Sequence, residues 1–294
     1  MLNSGKWPSI LQKGLSIVFL NQYKDYESMI PYCYRFKDPE QAVEYDLETG
    51  DVGTVPEFSG EISYGDMSEG YKGSVSEREY AFGLKITRRL LRNDLYNVTQ
   101  DKIESLADAF RALRETRGAY PFNNAFSAFT TWDDLPLCYS AHTSKNGGSA
   151  QANAGSLAFS APNVFATELL FKKIKTNTDN IMSNIPDTLI IPMDYGEKAF
   201  EILKTVGKVD VNTNNRNYLE GRYKAIIWDN FLTSSTNWFM ANSKRMKKQL
   251  IWREWEPTQF MRTGEFDTLV TKVAGYTSFE VSATDWRWLY GHEV

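Results

Sequence analysis

The chain has 294 residues, 42% hydrophobic and 24% charged, with 37 acidic against 33 basic side chains and a formal net charge of −4. That length buries a substantial core and suits one large domain or two smaller ones. The balance of charge lacks the global basic excess of a tight nucleic-acid binder. The N-terminus carries no secretory pattern, and the apolar run Ile17 to Leu20 is far short of the about 20 residues that cross a bilayer, so a soluble chain made in the cytoplasm is expected.

Ile10, Leu11, Leu15, Val18 and Phe19 fall at helical spacing within residues 7–23, despite Gly14. This predicts a short amphipathic helix that packs on its own domain or on a neighbour. Residues 39–79 differ from the rest: they hold eleven acidic side chains, two basic ones (Lys72 and Arg78) and six glycines. Val55, Phe58, Ile62 and Tyr64 are the apolar points of a weak β alternation. The stretch reads as a long two-stranded excursion with its tip near Gly65 to Gly73, and loops of that length are usually functional or disordered. From Tyr80 to Asn93 the sign reverses, with Lys85, Arg88, Arg89 and Arg92 and no acidic residue. An acidic limb beside a basic strand can pair across copies, or both can be solvated faces.

A clear helix follows. Thr99 reads as its N-cap, Asp101 suits the first turn, and Gly118 with Pro121 reads as its stop. Ile103, Leu106, Ala107, Phe110 and Leu113 make one apolar stripe. Arg111, Arg114 and Arg117 lie toward the C-terminal end, where the helix dipole favours cations. Residues 140–160 are small and polar and predict a loop. Pro162 opens a second helix through about Lys175, and Asp187 to Pro192 predicts a short buried strand. Asp194 and Glu197 read as a capping box for a third helix with Ala199, Ile202 and Leu203 inward. Arg222 to Trp228 and Asn237 to Ala241 read as strands joined by a polar turn. Residues 250–255, then Leu269, Thr271 and Val273, then Trp286, Trp288 and Tyr290, alternate as further strands. Helices and strands interleave without βαβ repetition, so the class is α+β.

Catalytic signatures are nearly absent. There is no dinucleotide-binding, P-loop, zincin or nucleophile-elbow motif. His142 and His292 are the two histidines and cannot build the usual His-rich metal site. Cys33 and Cys138 show no metal spacing and read as buried free thiols. The sharpest catalytic arrangement sets Cys138 or Ser140 beside His142, since residues two apart on a strand share a face. A nucleophile and base so close in sequence rarely align, however, and no orienting carboxylate is evident; Asp133 and Asp134 read as turn residues. The expectation is no catalytic, cofactor or metal site. Two basic clusters remain: Lys172, Lys173 and Lys175 at a helix end, and Lys244, Arg245, Lys247, Lys248 and Arg253 in an acid-free stretch. For the second, non-specific phosphate contact competes with a solvated face or an intersubunit salt link.

Several segments, in order, carry a resemblance. Residues 79–118 resemble a strand running into a long spine helix. Residues 137–142 (LCYSAH) resemble a Leu-Phe-Ser-x-x-His segment after it, and residues 187–204 (DTLIIPMDYGEKAFEILK) a strand delivering Pro and a helix. Residues 219–240 resemble a Gly-Arg strand, turn and Trp strand, and SFEVSATDWRWLYGHE the closing strands. Together they resemble the tailed-phage major capsid proteins, most closely the Mu-like major head subunit family. The resemblance implies that family's fold: an N-terminal arm at 1–38, an extended β-hairpin loop at 39–86, a peripheral domain from 87–160 and 261–294 with its spine helix at about 99–117, and an axial domain at 161–260.

It further implies a non-enzymatic virion protein that self-assembles into pentamers and hexamers of an icosahedral head around double-stranded DNA. Its partners would be other copies of itself, a portal, a maturation protease and, through non-specific contact, the packaged DNA; no membrane is involved. Nothing before Trp7 resembles the long scaffolding segment that some relatives cut away, so a separate scaffolding protein is implied. Phe58, Ile62 and Tyr64 would gain burial on a neighbour, and the acidic loop would lie over Lys85, Arg88, Arg89 and Arg92 of the next copy. Lys72 lies near the loop tip, where some relatives form isopeptide cross-links, but no partner or catalytic carboxylate is identifiable and none is expected. An encapsulin-like compartment, which shares the fold and carries cargo, is the alternative; an enzyme and a tail or adaptor protein rank below it.

Overall fold

Helix α1 (Trp7–Lys24) forms where the helical spacing predicts it and packs on its own chain. Phe19 is fully buried, with its ring 6.3 Å from Phe110 and 5.1 Å from Phe260. The computed structural model describes residues 7–24, 26–51, 54–58, 60–62, 64, 69–87, 89–90, 98–207, 216–265 and 270–294. After α1 come the short α2 (Ile30–Cys33) and β1 (Arg35–Lys37).

The spine helix, α3 (Val98–Asn123), buries the expected stripe of Ile103, Leu106, Ala107 and Phe110. Thr99 lies inside its first turn rather than capping it. The helix also runs through the expected stop at Gly118 and Pro121. Gly and Pro inside a helix cost about 1 and 3 kcal/mol relative to Ala, and packing outweighs them. A Cβ on Gly118 would lie 2.8 Å from Ile30 Cγ1, so the glycine admits α2, and Tyr34 Oη donates to the Gly118 carbonyl at 2.6 Å. One turn on, Phe122 packs among Trp228, Phe239 and Trp288 with ring centroids 5.6–6.3 Å away. Glu115, buried in the same region, accepts from Ser28 Oγ and from Trp228 Nε1. Burial pushes its carboxyl up despite these hydrogen bonds.

The helix lies on a four-stranded sheet of order β1-β9-β10-β4, from β9 (Leu250–Glu265), β10 (Val270–Ala283) and β4 (Glu79–Thr87). Gly275 on β10 permits the approach, since a Cβ there would lie 2.4 Å from the Phe110 ring. Arg114 pairs with Glu254, and Arg117 with Glu280 at 2.6 Å. These two arginines therefore bridge helix to sheet, beyond any role at the dipole.

A second sheet has the order β5-β11-β8-β6-β7, from β5 (Ala154–Gly155), β11 (Leu289–His292), β8 (Trp238–Ala241), β6 (Thr188–Ile191) and β7 (Lys224–Ile227). The strands β6, β8 and β11 are buried at every position, and α4 (Ala161–Phe171) and α5 (Gly196–Lys204) accompany them. The expected turn-linked pair β7 and β8 is not a hairpin: both flank β6, parallel and antiparallel respectively. The all-apolar Leu189, Ile190 and Ile191 need cover on both sides, whereas β7 has an exposed Lys224 and takes the edge. The expected capping box at Asp194 does not form, because a 3₁₀ turn over Met193–Tyr195 precedes α5, whose cap is Tyr195 with no side-chain hydrogen bond.

The sheets also cut across the expected division at residue 260. That point falls inside the continuous β9, and β11 closes the second sheet, where β5 and β8 cover its buried residues. A separate two-stranded antiparallel limb pairs β2 (Val43–Thr49) with β3 (Glu69–Ser76). Gly70 and Gly73 lie within β3, so the tip falls earlier than expected, between the two strands.

Candidate assembly surfaces

At the far end of the limb Phe58, Ile62 and Tyr64 are 72%, 70% and 90% exposed, with the exposed Val55, Glu57 and Glu61 among them. The paired strands of the limb are held on their own chain along their length. Asp46 accepts from the fully buried Arg253, which also donates to Ser282. Lys37 pairs with Glu44 at 2.7 Å and Asp46 at 3.8 Å. Glu48 accepts from Asn177 at 3.1 Å and Arg287 at 3.4 Å. Burial and then the nearby Asp285 raise its carboxyl, against those donors. Asp51 accepts from Thr178 and Asn180, both at 3.1 Å. Tyr71 Oη donates to the Thr143 carbonyl at 3.2 Å, Lys145 to that of Gly70 at 3.0 Å, and Gly73 sits against the Trp132 ring.

The carboxylates of β2 thus meet Lys37, Arg253 and Arg287 of the same chain. No local sequence signal joins Asp46 to Arg253, 207 residues on, or Glu48 to Arg287, 239 residues on. Lys72 pairs with Glu69 at 2.8 Å, both exposed, a contact worth little in water. Lys85 and Arg89 are exposed; Arg88 and Arg92 lie outside the described residues.

The histidines are built into the core. His142 Nδ1 lies 2.7 Å from Asp133 Oδ2 and Nε2 lies 3.1 Å from Asn153 Oδ1, with the ring stacked on Trp286 at 4.2 Å. Asn153 in turn donates to the carbonyls of Leu137 and Leu289 at 2.8 and 3.1 Å. Burial opposes ionisation of Asp133, but hydrogen bonds from His142 and Thr131 outweigh it and hold its carboxyl below the usual range. Asp133 is therefore the orienting carboxylate that sequence reasoning read as a turn residue. The other ring nitrogen ends on Asn153, not on Cys138 or Ser140. Ser140 is exposed, and burial pushes the Cys138 thiol up, away from the thiolate a nucleophile needs. His292 Nδ1 accepts from the Leu157 amide at 3.0 Å, Nε2 lies 2.8 Å from Thr167 Oγ1, and the ring stacks on Trp238 at 4.5 Å. Burial lowers its pKa to about 4.

Among the described residues no group of three His, Cys, Asp or Glu side chains is placed to hold a metal, and no helix is long and apolar enough to cross a membrane. The two basic clusters fare differently. Lys172 is engaged by the buried Glu168 at 2.5 Å, which also takes Arg222 at 2.8 Å and Tyr223 Oη at 2.7 Å. Arg253 is consumed by Asp46. Lys244, Arg245, Lys247 and Lys248 lie on the short α6 (Ser243–Gln249) with no carboxylate partner among the described residues.

A family profile described as phage capsid protein matches residues 73–291. No curated protein matches the chain. Among solved structures, the chain resembles the virus-like particle from Pyrococcus furiosus with a TM-score of 0.58 at 10% identity, over 96% of this chain and 98% of that one. It resembles the procapsid of bacteriophage JBD30 with a TM-score of 0.57 at 10% identity, over 99% and 76%. The mature capsid of bacteriophage PhiM1 gives 0.59 at 10% identity, over 91% and 87%. At such identity the likeness is one of fold, and the fold is that of the tailed-phage major capsid proteins, as the order of sequence segments implied.

Proposed function

Because the chain belongs to the phage capsid protein family and is a capsid shell protein of the virion, we propose that it is a major head subunit, forming pentamers and hexamers of an icosahedral shell around double-stranded DNA. The order of its sequence segments supports a place among the Mu-like head subunits. One observation carries the assembly reading: three large apolar side chains, Phe58, Ile62 and Tyr64, stand mostly in water beyond a strand pair that is tied to its own chain from Asp46 to Thr54. Fully burying a side chain of that size is worth about 1.5–3 kcal/mol, and a neighbouring copy is the partner a closed shell supplies. Such contacts run head-to-tail, and rings close where the rotation closes. The gain must exceed the entropy of ordering a glycine-rich tip.

In this reading the four-stranded sheet with α3 is the peripheral unit and the five-stranded sheet with α4 and α5 the axial unit. Lys85, Arg88, Arg89 and Arg92 receive the acidic side chains left over at the tip, Glu57 and Glu61, from the next copy, which sets register more than affinity. A scaffolding protein, a portal, a maturation protease and the packaged DNA complete the set of partners, and the subunit is made in the host cytoplasm. A shell protein of this kind works by burial and needs no turnover.

The full-coverage likeness to the Pyrococcus furiosus virus-like particle favours, as second reading, a closed protein compartment that carries cargo. Electron microscopy of particles formed by the purified chain, with and without a co-expressed scaffold, tests the proposal. Closed particles of uniform size are expected, and a chain that stays monomeric under every assembly condition overturns it. Genomic DNA inside native particles selects the head reading, and a protein cargo selects the compartment.

A further inference from the structure

We infer that the outer surface of α6, with Arg35 and Lys224 beside it, is where the subunit touches the phosphate backbone of packaged double-stranded DNA, and hence the face turned to the interior. This rests on the shell reading and adds a surface to it. Six cations converge there from three elements: Arg35 on β1, Lys224 on β7, and Lys244, Arg245, Lys247 and Lys248 on α6. The helix packs against both α2 and β1. Lys224 Nζ lies 3.9 Å over the Tyr32 ring of α2, and Arg35, Arg245 and Lys248 line one cleft of about 650 Å³. None of the six has a carboxylate within salt-bridge distance among the described residues.

The carboxylates nearest the patch bond to other groups, and Glu27 accepts from the Tyr32 hydroxyl at 2.9 Å. Asp187 accepts from the Ser243 amide at 2.8 Å and from its hydroxyl. Asp46, on the wall of the same cleft, holds Arg253, while Glu48 and Asp285 hold Arg287 at 3.4 and 2.8 Å. Asp187, and Asp51 on the cleft wall, are held by neutral donors and keep their charge, so the patch is a cluster of six cations without direct ion pairs among the described residues, on a chain of net charge −4.

The chemistry of the patch fits a polyanion read without regard to sequence. Lysine is a flexible, strongly hydrated point charge, suited to phosphate. A seven-residue helix spans about 10 Å, several phosphate spacings along a duplex. A second copy's acidic limb fits less well, since its β2 carboxylates are consumed within their own chain.

The test titrates a fluorescent random 30-base-pair duplex with the unassembled chain across a range of salt. The parent should bind weakly, with affinity falling steeply as salt rises. In the triple variant K244E/K247E/K248E, affinity at low salt should drop by about 10-fold or more and the log–log salt slope should shrink by about 2.7, at about 0.9 per phosphate contact. The variant K173E/K175E should leave both unchanged. If circular dichroism shows the triple charge reversal misfolded, K244Q/K247Q/K248Q replaces it. A parent that does not bind the duplex, or a folded variant with an unchanged slope, overturns the inference. So does a folded variant that loses particle assembly while the soluble subunit keeps its DNA affinity, because the cations would then serve a contact between copies. Particle formation by the parent is scored separately by microscopy, so failure of the shell reading and failure of this surface are told apart.

Discussion

The five-stranded sheet and the β2–β3 limb treat their apolar residues in opposite ways. In the sheet, β6, β8 and β11 are buried at every position, and Trp228, Trp238 and Trp288 lie wholly inside. In the limb, Tyr45, Phe58, Ile62 and Tyr64 are exposed, and polar contacts along the paired strands do the anchoring. The sheet completes itself within one chain, whereas the limb leaves its largest side chains for a surface elsewhere. Stability and assembly should accordingly respond to different residues.

Four experiments probe that contrast, from the largest effect on stability to the smallest. Trp238→Ala removes a ring that stacks on His292, meets Phe159 edge-on and donates to the Leu157 carbonyl. It should cost about 4 kcal/mol, read from the urea midpoint. Asp46→Ala leaves Arg253 buried without its carboxylate and should cost about 3 kcal/mol, with faster proteolysis across residues 39–79. A limb that stays equally resistant would mean that its base is not held by this pair.

The third experiment varies pH. His292 is neutral when folded, with a pKa of about 4, and takes up a proton near 6.5 when unfolded. Between those values the unfolded chain binds more protons, so stability is intact above about 6.5 and falls as pH drops toward 4. Between pH 7 and 5 this should amount to about 2 kcal/mol, and His292→Gln should flatten that part of the curve. Last, Phe58→Ser with Tyr64→Ser should change the stability of the single subunit by less than about 0.5 kcal/mol, yet abolish or greatly slow particle formation followed by light scattering. A large loss of stability with normal assembly would reverse the roles assigned to the two regions.

Much of the framework was legible before any coordinates. The stripe from Ile103 to Phe110, the helix holding Phe19 and the strand Thr188–Ile191 all follow a period of 3.6 or an unbroken apolar run. The acidic, glycine-punctuated limb stood out by composition. Local signals failed where distant residues decided the outcome. Gly118 and Pro121 read as a stop until Ile30, Tyr34 and Phe122 made continuing the helix worthwhile. Asp133 is in a turn, as read, with its carboxylate accepting from the Leu135 amide; what local signals missed is that it also lies 2.7 Å from His142, because the bridge between Thr130 and Pro136 brings the loop back. The cluster ending in Arg253 looked uniform, yet Arg253 is buried and the four cations of α6 are not.

The amino-acid sequence by itself determined where the main helices and the buried strand Thr188–Ile191 lie, that one limb carries an excess of carboxylates, and that the order of segments matches a shell protein. Tertiary structure alone decided that β9 and β11 join different sheets, that β6 separates β7 from β8, and that Asp46 and Glu48 find Arg253 and Arg287. The physical reason is range. Periodicity and capping act over a few residues, whereas a buried charge or an edge strand takes its partner from wherever the folded backbone delivers one.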